Sequence, residues 1–256
     1  MQKYLEKKIL KTYQADRHGF IRPVMLMNEL QSIADTHAEI LGVGRTFCIA
    51  NKLAWVVTHY LVEIDEPPRD GEELEFATWP SKHESVKAAR DFLIRSADGR
   101  VKVRATSQWV MIDLETRKPV RLGDKLPSVW EVLPERALDM PFEKFPDFET
   151  EVCAGFQTRY DDVDVNQHVN NAVYASWATE SVGFDFRDTH ALRRIMINFK
   201  KEIPAGTAAV QVCTAFDSSA DSSACAQPGQ TAMITRHKIL TDDIENANVV
   251  CEWSGA

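Results

Sequence analysis

The sequence predicts an α+β protein made of two tandem units, each a central helix wrapped by an antiparallel sheet. Three observations carry this. One apolar helix followed by several strand-like runs occurs twice along the 256 residues. Five of the eleven prolines (Pro119, Pro127, Pro134, Pro141, Pro146) fall between the two copies, in a stretch that suits neither a central strand nor a long helix. With 44% apolar and 27% charged residues there is enough material for packed cores, while no apolar run approaches the ~18 residues of a membrane span.

In the first unit, Pro23 opens a helix whose apolar face is Leu26, Leu30, Ile33, His37 and Leu41, and Gly42 and Gly44 close it. Strand-like runs follow at 55–64, 74–79, 89–95 and 101–112, the last two joined by a turn at Ala97-Asp98-Gly99. The second unit repeats the order, with a helix over 169–183 and strands over 194–203, 208–215, 231–240 and 247–253. The expected boundaries are therefore 1–118, a linker 119–150, and 151–256. Aligning the copies pairs Asp16 with Asp164, Phe20 with His168 and Ile21 with Val169. Along the first long strand it sets Trp55–Ile64 against Arg194–Ile203, which makes Glu63 the counterpart of Glu202.

A net charge of −8 argues against a nucleic-acid binder relying on a global basic face. Five widely spaced cysteines, with no Cys-x-x-Cys, read as reduced thiols, and the start Met1-Gln2-Lys3-Tyr4-Leu5-Glu6 shows no secretory or transit signal. A cytoplasmic protein is expected. The segment Asp217–Gln230 reads as a flexible loop without activity.

The densest polar run is Asp161-Asp-Val-Asp164-Val-Asn166-Gln-His168-Val-Asn170-Asn171, directly before an apolar helix. A carboxylate, a carboxamide and an imidazole at every second position point to one side if the backbone is extended. Asn170 or Asn171 can cap the helix, whose free N–H groups favour a developing oxyanion. The competing structural role is a helix-entry turn. Against it, the first unit has Asp16-Arg-His-Gly-Phe20 at the same place, and Phe20 does no acid–base work. The polar set belongs to one unit, not to the fold.

Asp164-Val-Asn166-Gln-His168-Val-Asn-Asn171, followed by Tyr174, by Trp177-Ala-Thr-Glu180-Ser and by Phe199-Lys-Lys-Glu202, resembles the acyl-acyl carrier protein thioesterases of plants and bacteria. In the first unit, Leu26-Met-Asn-Glu-Leu-Gln31, Leu53-Ala-Trp55-Val-Val-Thr58 and Ala105-Thr-Ser-Gln-Trp109-Val-Met111 are similar to the same family. The resemblance implies a double hotdog fold, with the fatty chain housed in the first unit and Asp164, Asn166, His168 and Glu202 forming the catalytic set of the second. Plant members carry a cysteine directly after the glutamate. Here that residue is Ile203, so a water mechanism is expected: Glu202 with His168 activating water, Asp164 orienting His168, Asn166 polarising the thioester.

Leu26, Leu30, Ile33, Trp55 and Val57 are candidate walls of an acyl tunnel. Arg193, Arg194, Lys200 and Lys201, close to Glu202 and free of acids, are candidates for docking an acidic carrier protein bearing a phosphopantetheine-linked acyl chain. No cofactor is expected. Asp164 and His168 lack an evident third ligand, so no metal is expected either. A homodimer is left open. The alternatives are a coenzyme A thioesterase or dehydratase on the same fold, and a noncatalytic acyl-binding protein.

Overall fold

The computed structural model describes residues 2–126, 131–138, 142, 145, 147–217 and 232–255. The chain divides into two compact units, residues 1–141 and 142–256.

In the first unit β1 (Tyr4–Ile9), β2 (Leu53–Ile64), β3 (Glu73–His83), β4 (Lys87–Ser96) and β5 (Val101–Asp113) form a sheet in the order β1-β3-β4-β5-β2. Every neighbouring pair is antiparallel. Helix α1 (Pro23–Ile40) buries Leu26, Met27, Leu30, Ile33, Ala34 and His37. Pro23 sits where a helix needs no N–H, and Gly42 takes φ +70°, the left-handed turn that stops it. The short helix α2 (Arg45–Ala50) leads into β2, and α3 (Leu122–Lys125) follows β5.

The second unit holds β6 (Val152–Phe156), α4 (Asn171–Glu180), α5 (Phe184–Thr189), β7 (His190–Phe199), β8 (Val210–Asp217), β9 (Ala232–Thr241) and β10 (Ile244–Gly255). Its sheet runs β7-β10-β9-β8-β6, again antiparallel throughout. Strand for strand this repeats the first unit read as β2-β5-β4-β3-β1, as expected of a duplicated fold. Helix α4 is buried over most of its circumference, with Ala172–Ala175 and Trp177–Thr179 inaccessible, as a helix enclosed by a curled sheet must be.

The structure departs from the sequence expectations in four places. Strands β1 and β6 were not anticipated. The strand expected over 194–203 is β7, four residues earlier, and ends at Phe199 because both Lys200 and Lys201 N–H donate to the Asn246 carbonyl, a bulge that breaks the ladder. The front of the proline-rich linker packs on the first unit: Leu122 is buried with Cys48, Leu53, Ala88 and Met111, and the Trp79 indole donates to the Glu135 carbonyl at 2.8 Å. The cysteines are not all thiols. Cys153 on β6 faces Cys213 on β8, Cα atoms 4.0 Å apart, and the two are joined as a disulfide; Cys48 and Cys251 are free and buried. Cys225 and the expected loop after Asp217 lie outside the described residues. Among those described, no helix is long and apolar enough to cross a membrane.

Candidate active site

Asp164, Asn166 and His168 do not lie on an extended strand. They form a tight turn, closed by Asp164 N–H to the His168 carbonyl at 2.8 Å and Gln167 N–H to the Asp164 carbonyl at 3.0 Å, with Gln167 at φ +63°. The Asp164 carboxylate holds this turn from inside. Oδ1 accepts from the Asn166 N–H at 2.8 Å and the His168 N–H at 3.4 Å, and Oδ2 accepts from the Asn166 amide at 3.3 Å. A short side chain closing hydrogen bonds over its own backbone is the usual reason for aspartate at such a position. Among the described residues the Asp164 carboxylate bonds to the His168 backbone and to Asn166, not to the imidazole. The orienting role expected for it therefore acts through the turn.

The segment leaving β7 crosses this turn. Val169 N–H donates to the Ile203 carbonyl at 2.8 Å and Ala205 N–H to the Gln167 carbonyl at 2.9 Å, and His168 and Pro204 form an isolated bridge. This strap places Glu202 Oε2 3.4 Å from His168 Nε2, both side chains about one-third exposed. Glu202 thus comes from the segment after the strand rather than from the strand itself. Beneath lies Tyr174 of α4, packed edge-on against Phe199, its phenol pushed up chiefly by burial. The start of α4 is already partly occupied: Asn170 Oδ1 accepts from Ala172 N–H at 2.9 Å and the Asn170 carbonyl from Val173 N–H at 2.9 Å. Those two N–H groups are spent on capping, which leaves the Asn166 carboxamide as the donor best suited to an oxyanion.

Asp162 was not anticipated as a contributor. It is 1% exposed, accepts from Arg159 N–H at 2.9 Å and offers its carbonyl to Asn170 N–H at 2.8 Å, so it anchors the turn to the helix cap. Its signal in the sequence was the doubled acid at Asp161-Asp162.

In the first unit a cavity opens between α1 and the sheet, walled by Ala34, Asp35, Trp55, Ala88, Arg90 and Trp109 among others. Trp55 is the one expected wall residue that faces it. Leu26, Leu30, Ile33 and Val57 are buried core, at most 4% exposed. Both indole N–H groups are turned to protein, Trp55 to the Val43 carbonyl at 2.9 Å and Trp109 to Ser107 Oγ at 2.7 Å.

The four cations near Glu202 are not a uniform docking patch. Arg194 is 7% exposed and paired with Glu252 at 2.9 Å. Arg193 donates to Ser254 Oγ at 2.8 Å and Lys200 pairs with Glu245. Lys201 is exposed. Burial removes Arg194 from the surface role expected of it, because a guanidinium inside the sheet needs the carboxylate it already has.

Residues 1–129 match the acyl-ACP thioesterase N-terminal domain and residues 146–255 the C-terminal domain of the same family. The chain belongs to the acyl-ACP thioesterases. Curated relatives include oleoyl-acyl carrier protein thioesterase 2 of Arabidopsis thaliana, chloroplastic, 31% identical over 78% of this chain and 59% of that one. A chloroplastic palmitoyl-acyl carrier protein thioesterase of Gossypium hirsutum is 32% identical over 77% of this chain and 51% of that one. The chain thus spans little more than half the length of these relatives. Among solved structures, a candidate oleoyl thioesterase from Lactobacillus plantarum superposes with a TM-score of 0.83 at 26% identity, covering 99% of this chain and 96% of that one. The 12:0-ACP thioesterase from Umbellularia californica gives 0.79 at 20% identity, covering 99% and 98%, a likeness of fold. The double hotdog architecture expected from the resemblance is the one these acyl-ACP thioesterases share.

Proposed function

We propose that this chain hydrolyses fatty acyl thioesters of acyl carrier protein, releasing free fatty acid. The observation that carries this reading is the approach of His168 Nε2 to Glu202 Oε2 at 3.4 Å, beside an Asn166 amide fixed by Asp164. A general base on the strap faces an imidazole on the turn that also carries the amide donor. A thiolate, with an unperturbed pKa near 8.5, leaves readily, so the demanding step is the attack of water. In this reading the attacking water is held by Glu202 and His168 together, beside their 3.4 Å contact. Its proton passes to the Glu202 carboxylate as its oxygen bonds to the thioester carbon, and Asn166 donates to the oxyanion that forms. Collapse breaks the C–S bond, and the proton is returned to the departing sulfur through His168. General-base help of this kind is worth ~100- to 10,000-fold. No cysteine stands beside Glu202, where Ile203 is fully buried, so no acyl-enzyme through that position is required.

The acyl chain is assigned to the apolar cavity of the first unit, where each methylene removed from water contributes ~0.8 kcal/mol. The carrier is the partner, with Lys200 and Lys201 as the exposed members of the basic set. The reading includes a cytoplasmic location. The test is hydrolysis of acyl groups presented on carrier protein and on coenzyme A, with intact protein and Glu202→Gln. Release of free thiol and fatty acid from the carrier substrate, lost in the variant, supports it. Tight acyl binding without thiol release would point to an acyl-binding protein, and turnover only of the coenzyme A substrate would reassign the carrier.

A further inference from the structure

The cavity of the first unit is apolar except at two places, Asp35 on α1 and Arg90 on β4. Its other walls suit hydrocarbon. Ala34 and Ala88 leave room, and Trp55 and Trp109 present carbon faces because their N–H groups are satisfied elsewhere.

Arg90 is buried and fixed. Its Nη1 lies 3.0 Å from His37 Nδ1 and 3.3 Å from Thr78 Oγ1. His37 must therefore offer a lone pair there, consistent with an imidazole pulled down to about 4 by burial and by Arg90 itself. Asp35 is different: among the described residues it has no hydrogen-bond or ion-pair partner. It is exposed at the edge of the cavity that it helps to line. Burial raises its carboxyl to about 6, against the pull of Arg90 and with a push from Glu39.

An alkyl chain lying in this cavity gains with each methylene until it reaches Asp35 at the edge. There it strips water from an exposed carboxyl that no described residue hydrogen-bonds, and the gain reverses. We infer that Asp35, backed by the fixed guanidinium of Arg90, is the polar stop that sets the upper chain length of the acyl group. Chains whose methyl end stays short of Asp35 are favoured, and longer saturated chains are excluded by desolvation rather than by bulk. The inference rests on the proposed hydrolysis and deepens it by naming the residue that selects among acyl groups.

The experiment is a competition assay over an even-numbered series of saturated acyl-carrier substrates, with wild type, Asp35→Leu and Asp35→Ala, each checked for thermal unfolding. Asp35 keeps an exposed face, so both variants are expected to fold, and the alanine form serves if leucine does not. The ratio of kcat/KM for the first excluded chain to that for the best chain should rise about tenfold in either variant, the factor expected for two methylenes newly buried. An unchanged ratio in both variants overturns the assignment of Asp35 while leaving the hydrolytic reading intact. Wild-type protein that cleaves no acyl-carrier substrate overturns both.

Discussion

The turns before α1 and α4 are built alike and do different things. In both, an aspartate N–H donates to the carbonyl four residues on, Asp16 to Phe20 at 2.7 Å and Asp164 to His168 at 2.8 Å. In both, the carboxylate accepts from the backbone two and four residues ahead. A residue of positive φ precedes the tip, Gly19 in one and Gln167 in the other. A strap crosses each, Ile21 N–H to the Pro68 carbonyl and Val169 N–H to that of Ile203. The frame is therefore a property of the fold, and the chemistry is three side chains hung on it. Where the second unit has Asn166, His168 and Glu202, the first has His18, Phe20 and Pro67.

Histidine at the tip should carry the largest effect. His168→Phe installs what the first unit tolerates at the same backbone position, so it is expected to fold normally and lose ~1,000-fold or more in kcat. A thermal midpoint within a few degrees of wild type, with acyl-carrier turnover near background, is the anticipated pair of results. Retained turnover would mean that the two turns differ less than their side chains suggest. Glu202→Gln comes next, with ~100-fold or greater loss, because the amide keeps the shape and cannot accept the water's proton. The loss should appear in kcat rather than KM.

The strap also shows what the sequence did and did not reveal. Asp16 with Asp164 and Phe20 with His168 were legible because turns carry residue-specific chemistry, aspartate closing the bonds and glycine or glutamine at positive φ. The partner of Glu202 was misplaced at Glu63. The ladder decides it: Asp65 and Glu66 N–H donate to the Lys102 carbonyl as Lys200 and Lys201 do to that of Asn246, so Pro67 stands where Glu202 does. Strand alternation repeats every two residues, and a slip of an even number keeps every side chain on its face and goes unnoticed. The same slip carried the expected strand into 200–203. Strands β1 and β6 escaped notice for another reason. Tyr4–Ile9 is half charged and Val152–Phe156 contains Gly155, composition suited to the sheet edges they occupy, since charges there discourage pairing with another chain. The cavity residue Asp35 left no sequence signal either, because only packing places it off the buried stripe of α1.

Replacing the two aspartates separates frame from chemistry more finely. Asp16→Ala and Asp164→Ala each remove backbone hydrogen bonds worth roughly 0.5–1.5 kcal/mol apiece, so both should lower stability by ~1–3 kcal/mol in urea unfolding. Only Asp164→Ala should also lower kcat, since it frees the Asn166 amide from Oδ2. Equal activity in the two variants would deny Asp164 any part beyond folding.

The smallest effect concerns the cores around the two helices, each of which encloses a neutral histidine. His237 sits among Thr214 Oγ1, Ser181 Oγ and Thr235 Oγ1 at 3.0, 3.1 and 2.9 Å, and burial holds it down at about 3. In the first unit, His37 is held at about 4 by burial and then by Arg90. Unfolding returns each to an ordinary value near 6.5, so between these limits the unfolded chain binds more protons. The stability each contributes is whole above pH 6.5 and drains as pH falls, at up to ~1.4 kcal/mol per unit per group. Asp35 acts in the opposite sense, since its raised value favours the folded state as pH drops from about 6 toward 3.8. Among the described residues that offset is found in the first unit alone, where a second imidazole, His59, is also held at about 4 by burial and then by Lys87. Between pH 6.5 and 4 both units should therefore lose stability by comparable amounts, which hydrogen exchange at β10 and β5 measures separately. His237→Asn, close in size and uncharged, should flatten the pH dependence at β10 and leave that at β5 as it was; an unaltered slope at β10 would show that the buried imidazole is not what acid attacks.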